Sequence, residues 1–185
     1  SGCSKEEQVK GEMALPVTTM ALKMADLPLT LEFSGQTTSD LDVVVRAKVS
    51  GTIEEQFFAP GQAVGAGDRL YKIDEAKYKA AFESAQGNYQ AMLSQSQKAN
   101  ADYTRAKSLR AKNAIAQKDY DAALATLNQS TANVKTAEAN MKNSQIDLEY
   151  SKVTAPFEGV VGDTKKDVGS LVSAGDELVR LSKLD

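Results

Sequence analysis

AKVSGTIEEQFFAPGQAVGAGDRLYKID, residues 47–74, and APFEGVVGDTKKDVGSLVSAGDELVRLS, residues 155–182, align without a gap. The alignment pairs Ala47 with Ala155, Gly51 with Gly159, Gly61 with Gly169, Val64 with Val172 and Ala66-Gly67-Asp68 with Ala174-Gly175-Asp176. Leu70 falls on Leu178, while Val49 faces Phe157, Ile53 faces Val161 and Ile73 faces Leu181. The offset is constant at 108 residues, as between Gly51 and Gly159. Glycines at matching places predict repeated positive-φ turns, and the Gly-Asp steps at 67–68 and 175–176 read as hairpin-turn chemistry. Apolar residues alternate in short runs, Val43 and Val45, then Val49 and Ile53, then Leu70 and Ile73, so each half reads as about four short strands. One such half exposes its apolar face. Two halves packed together close a sandwich with pseudo-twofold symmetry, one domain built from two distant segments.

Between the halves, residues 75–152 hold a single glycine, Gly87, no proline, and abundant Ala, Gln, Lys, Asn and Ser, which is helical composition. A heptad seam runs through Tyr78, Phe82, Ala85, Tyr89, Met92, Ser96, Ala99, Tyr103 and Ala106. A second runs through Tyr120, Leu124, Leu127, Thr131, Val134, Glu138, Met141, Gln145 and Leu148. The stretch 112–117 separates them and Asp119 stands in the first turn of the second helical segment, so the bend of an antiparallel hairpin is expected there. An arm of about 35 residues reaches about 50 Å at 1.5 Å per residue. The small and polar seam residues imply close packing of modest stability.

The fold class expected is thus α+β: a β-sandwich of halves 41–74 and 153–185 with a helical hairpin, 75–152, inserted between them. Residues 13–40 contain Leu27, Leu29, Leu31 and Phe33 in alternation and read as a strand whose partners are missing from the chain. Such an unpartnered strand is what a piece of a longer protein would be expected to carry. Residues 1–12 read as a linker. Ser1-Gly2-Cys3-Ser4 resembles the end of a bacterial lipoprotein signal, so Cys3 is the candidate lipid anchor, and durable tethering would take more than one acyl chain.

Composition narrows the function. Histidine is absent and Cys3 is the sole cysteine, which excludes His or multi-Cys zinc sites and any nucleophile activated by a histidine base. No cofactor or metal site is expected. The formal charge of -3 gives no basic surface for nucleic acid. No run of about 18 apolar residues is present to form a spanning helix.

These residues resemble the periplasmic adaptor, or membrane fusion, proteins of RND-type tripartite multidrug efflux pumps. The stretch Ala47-Lys-Val-Ser-Gly51-Thr-Ile53, with Pro60-Gly61-Gln-Ala-Val64 and Gly67-Asp68-Arg-Leu70, is similar to the family's first lipoyl half-motif. Ala155-Pro156-Phe157-Glu158-Gly159 with Val168-Gly169 is similar to the second. The resemblance implies a lipoyl-like sandwich bearing the hairpin, with 13–40 as the N-terminal contribution to a barrel and membrane-proximal region. It implies a non-catalytic periplasmic protein linking an inner-membrane RND transporter to an outer-membrane channel, held at the inner membrane through Cys3 and self-associating, as a hexamer, in the assembled pump. In that family the hairpin tip carries an Arg, a Leu four residues later and a Ser seven beyond. Arg105 and Leu109 match, Ala116 stands at the Ser position, and Ile115 and Gln117 complete the expected docking tip. Arg105, Lys107, Arg110, Lys112 and Lys118 gather positive charge there, suited to a rim of carboxylates or carbonyls.

Two other readings compete. The same architecture can serve an ABC-type exporter or a type I secretion system. A lipoyl or biotinyl carrier has the same sandwich but presents its modified lysine on a tight hairpin, whereas Lys77 and Lys79 fall in a helical pattern at the base of the arm.

Overall fold

The computed structural model describes Gly2 and residues 41–183. The anchor candidate Cys3, the rest of the expected linker and the expected 13–40 segment lie outside the described residues. The elements in chain order are β1 (Asp42–Arg46), β2 (Gly51–Gln56), β3 (Ala63–Val64), β4 (Arg69–Ile73), α1 (Ala76–Ala111), α2 (Gln117–Tyr150), β5 (Lys152–Thr154), β6 (Gly159–Thr164), β7 (Leu171–Val172) and β8 (Glu177–Lys183). Shifted by 108 residues, β2 lands on β6 and β3 on β7 end for end.

The strands form two four-stranded sheets, β1-β8-β6-β3 and β5-β4-β2-β7. Exchanging each strand for its repeat partner turns one order into the other, so the pseudo-twofold swaps the sheets. Each sheet draws two strands from each half, and neither half can complete a sheet alone. The backbone hydrogen bonds obey the same exchange: Gly67 N–H donates to Ala155 O at 2.8 Å and Gly175 N–H to Ala47 O at 2.7 Å. Likewise Gly61 N–H donates to Val161 O at 2.7 Å and Gly169 N–H to Ile53 O at 2.8 Å.

The turn glycines carry the positive φ that the repeat predicts, 83° and 86° at Gly61 and Gly67, 90° and 96° at Gly169 and Gly175. The Gly-Asp steps, however, are not hairpin turns. β3 pairs with β6 and not with β4, so the turn at 65–68 carries the chain from one sheet to the other. Its aspartate closes it: Asp68 accepts the N–H of Gly65 at 2.7 Å, and Asp176 accepts that of Ser173 at 3.1 Å.

The core lies between the sheets and is made symmetrically by Ile53, Leu70 and Ile73 with Val161, Leu178 and Leu181, all fully buried. Each such side chain contributes about 1.5–3 kcal/mol by leaving water. The symmetry breaks at Tyr71, whose repeat partner is Val179. Tyr71 packs edge-on against Phe58 at 5.2 Å between ring centroids, and its hydroxyl donates toward the carbonyls of Lys166 (3.3 Å) and Leu178 (3.4 Å). Burial, and then the charge of Asp167, push this phenol up to about 12.

α1 leaves β4 through Asp74, whose carboxylate accepts the N–H of Ala76 at 3.0 Å and so satisfies one free donor of the first turn. At 36 residues it is about 54 Å long. Every residue named on the α1 seam is half-covered or buried, Ala99 and Ala106 being the buried ones. On α2 the expected seam needs correction. Thr131 and Gln145 are exposed, whereas Ser130 and Ala137 are buried and Ser144 is half-covered, one residue before each expected seam position. The side facing α1 is the side with the smaller residues, because a close interhelical approach admits Ser and Ala and excludes Gln.

Candidate functional site

The two helices meet at a bend of five residues, 112–116, far along the hairpin from the sheets. α1 ends in a motif that its sequence permits at one place. Asn113 adopts φ 51°, a left-handed conformation that Asn tolerates better than most residues. With it in place, Asn113 N–H donates to Arg110 O at 3.0 Å and Ala114 N–H to Leu109 O at 2.8 Å. This nested pair of bonds satisfies carbonyls that the helix end would leave free, and it turns the chain sharply.

Ala116 stands immediately before α2 in extended backbone, φ -67° and ψ 146°. Its carbonyl accepts the N–H groups of Asp119 (3.1 Å) and Tyr120 (3.2 Å), but its methyl caps nothing. A serine at this position would be a helix N-cap, so the departure noted in the sequence costs a local hydrogen bond as well as an exposed hydroxyl. Gln117, the first residue of α2, donates from Nε2 to Asp121 Oδ1 at 2.8 Å, and Asp119 lies in the first turn where the helix dipole favours a carboxylate.

Arg105 and Leu109 lie on the last turns of α1. Arg105 is exposed and donates to Asp102 at 3.1 Å, and Lys98 donates to the other oxygen of the same carboxylate at 3.0 Å. Hydrogen bonding from Lys98, then from Arg105, holds the Asp102 carboxyl below its usual range. Leu109 is 37% exposed, a large apolar side chain, and Lys107, Arg110, Lys112 and Lys118 are exposed near the same bend together with Asp119 and Asp121. Ile115 is half-buried at the apex. The structure therefore gathers Leu109, Ile115, Ala116 and Gln117 around one bend and sets Arg105 about one turn further back along α1.

Sequence reasoning did not single out one feature of this region. Tyr103 and Tyr120 meet across the hairpin with hydroxyls 3.1 Å apart and ring centroids 5.7 Å apart. The signal was present in part, because both are aromatic positions on the two seams read from the sequence. At the other end of the arm, Lys77 and Lys79 lie on the first turns of α1 and are exposed, with Lys77 over the ring of Tyr78. Neither sits on a strand-to-strand turn.

Such a tip offers an apolar contact, exposed charges of both signs and amide hydrogen bonding at the end of a long arm. Among the described residues no helix is long and apolar enough to cross a membrane.

Comparison with known proteins places this arrangement. The family profile described as "RND MFP, barrel-sandwich hybrid domain" matches residues 42–181. Multidrug resistance protein MdtE of Escherichia coli (strain K12) is 34% identical over 183 residues, 98% of this chain and 48% of its own. Membrane fusion protein MtrC of Neisseria gonorrhoeae is 39% identical over 82% of this chain and 37% of its own. A solved MacA-MexA chimeric protein containing the Pseudomonas aeruginosa MexA alpha-hairpin domain superposes with a TM-score of 0.56 at 33% identity, covering 79% of this chain and 49% of that one. The chain thus spans about half the length of MdtE and less of MtrC.

Proposed function

The chain belongs to the RND membrane fusion protein family, and from that premise we propose that it is the hairpin-bearing part of a periplasmic adaptor that links an inner-membrane RND transporter to an outer-membrane channel in multidrug efflux. The family is non-catalytic, and the role proposed is assembly. The hairpin tip docks on the channel, the sandwich stands beside copies of itself in a hexamer, and Cys3, once acylated, holds the protein to the inner membrane. In this reading the sandwich is of the lipoyl-like kind, its carrier-lysine turn replaced by the arm, and 13–40 belongs to the barrel and membrane-proximal region.

The observation that carries the reading is the tip: a bend built by Asn113 that exposes Leu109 among cations about 54 Å from the sandwich. An exposed apolar side chain with cations near it at the far end of a long arm suits a protein contact with an acidic or carbonyl-lined rim. The names of the relatives at 30% identity and above favour multidrug efflux over an ABC-type or type I secretion partner. The helical setting of Lys77 and Lys79 speaks against a carrier.

Site-specific crosslinking tests it. Cysteines at Arg105, Leu109 and Gln117, in cells producing the full-length protein with its candidate channel, are expected to crosslink to that channel, while mid-arm cysteines do not. Absence of tip crosslinks from a folded, exported protein would sink the docking role.

A further inference from the structure

Tryptophan and histidine are absent and Cys3 is the sole thiol, so the six tyrosines are the aromatic side chains from which a one-electron oxidant can draw. Tyr71 is fully buried against Phe58, while the rings of Tyr78 and Tyr150 lie under the ammonium groups of Lys77 and Lys48. Tyr89 is half-buried on α1. Among the described residues a single pair of tyrosine rings is in contact, Tyr103 with Tyr120. Their centroids are 5.7 Å apart, the rings are tilted by 45°, and the hydroxyls stand 3.1 Å from each other. Both rings are half-buried and each is held by its own helix, so the two phenols stay together as long as the hairpin is paired.

We propose that Tyr103 and Tyr120 form an oxidative modification site, at which a one-electron oxidant derived from peroxide joins the two rings as dityrosine and ties α1 covalently to α2. Each phenol gives up one electron and its hydroxyl proton, and the two phenoxyl radicals pair to form one carbon–carbon bond between ring positions ortho to the oxygens. The two ortho protons then move to the oxygens, which restores both aromatic rings and both hydroxyls. Two electrons and two protons leave in all, and one hydrogen peroxide, reduced to two waters, takes them up. In the product the hydroxyls flank the new bond and face each other, the neighbour relation that the folded hairpin already gives them. The bond closes the loop 103–120, which holds Arg105, Leu109, Ile115, Ala116 and Gln117. Closing it removes states with separated helices from the hairpin's ensemble, as a disulfide would. Oxidation thus fixes the expected docking tip in one shape. That consequence rests on the docking role proposed above, whereas the coupling itself does not.

Photolysis of ruthenium tris-bipyridyl with persulfate supplies one-electron oxidising equivalents in vitro, to the full chain carrying Cys3→Ser so that no thiol quenches the radicals. Monomer isolated by size is expected to show dityrosine fluorescence. Tryptic digestion should yield residues 99–105 joined to residues 119–135, lighter than their sum by the two hydrogens lost. Tyr103→Phe and Tyr120→Phe should each lower dityrosine within the monomer about tenfold or more, because the proximity that drives coupling is gone, while Tyr89→Phe leaves it unchanged. Amides around the bend should exchange more slowly in the coupled chain than in the uncoupled one. The same linked peptide is expected in full-length protein recovered from peroxide-treated cells. Coupling confined to other tyrosines or to contacts between chains overturns the site, as does dityrosine that survives Tyr103→Phe in the monomer. A linked peptide found in vitro and never in peroxide-treated cells overturns the modification, and one that leaves exchange at the bend unslowed overturns the lock. Circular dichroism of each variant guards against unfolding. Tip crosslinking to the channel needs no oxidant, so its success beside a failure here refutes the coupling and leaves the adaptor role standing.

Discussion

Tyr103 and Tyr120 place their hydroxyls 3.1 Å apart across the hairpin, and among the described residues this is the single side-chain hydrogen bond joining α1 to α2. Elsewhere the two helices meet through a seam rich in Ala and Ser, where burial per residue is small. The tip therefore depends on this bond more than its exposure suggests.

Tyr103→Phe and Tyr120→Phe should each destabilise the hairpin and raise amide exchange on both sides of the bend, measured by hydrogen-deuterium exchange. The hydrogen bond to Tyr103, and then desolvation, raise the Tyr120 phenol above its ordinary value. A raised phenol means that the folded state favours the neutral hydroxyl. Its contribution is then fully present below the ordinary tyrosine value of about 10 and is lost as pH rises through the higher folded value. Exchange at the tip should accelerate in that alkaline window, and less so in Tyr120→Phe.

At the start of α2, Ala116→Ser supplies the missing N-cap. The variant should gain about 1 kcal/mol, read as a rise in the midpoint of thermal or urea unfolding. If the hydroxyl also serves the channel contact, crosslinking yield at Gln117 rises with it. Asn113→Val, by contrast, forces a β-branched residue into left-handed backbone and should cost about 1–2 kcal/mol.

Three glycines make a graded test of the backbone. A methyl at Gly87 meets nothing within 4 Å, so Gly87→Ala should stabilise α1 by about 1 kcal/mol. At Gly51 the methyl would come within 2.6 Å of the Ile73 Cγ2 atom, a side-chain contact that only repacking of the core could relieve. At Gly159 it would collide with the backbone carbonyl of Ser182 on β8, which has no room to shift. Unfolding midpoints should therefore fall for Gly51→Ala and fall further for Gly159→Ala.

The corrected seam predicts that Ala137→Leu destabilises by about 1–3 kcal/mol through overpacking, while Thr131→Leu changes stability by no more than about 0.5 kcal/mol. The reverse order in chemical denaturation would restore the seam read from sequence.

Strand positions and turn glycines were legible because the repeat states them twice, and an alignment of Gly51 with Gly159 needs no knowledge of pairing. The interleaving of the sheets was not legible. Which strand lies beside which is fixed by contacts across more than a hundred residues, and the Gly-Asp steps look the same in a hairpin as in a turn that changes sheets. The α2 seam was misread at two positions for a related reason, the others being covered: Thr131 and Gln145 continue a heptad as well as Ser130 and Ser144 do, and only the distance between helices decides. At the tip, Arg105 and Leu109 came from family pattern and the bend from composition. The Tyr103–Tyr120 bond required the length of the bend, which composition leaves open.

The arm is mounted at both ends. α1 rises from β4 and α2 descends into β5, and these strands lie side by side, with Ile73 N–H donating at 2.8 Å to the carbonyl of the fully buried Ser151. A load applied at the bend thus arrives as opposed forces on two neighbouring strands of one sheet, and not as a swing about a single hinge. Because that sheet holds strands from both halves, torque at the tip is shared by the whole sandwich. The arm behaves as a lever on two footings, able to turn the domain beneath it while bending little itself.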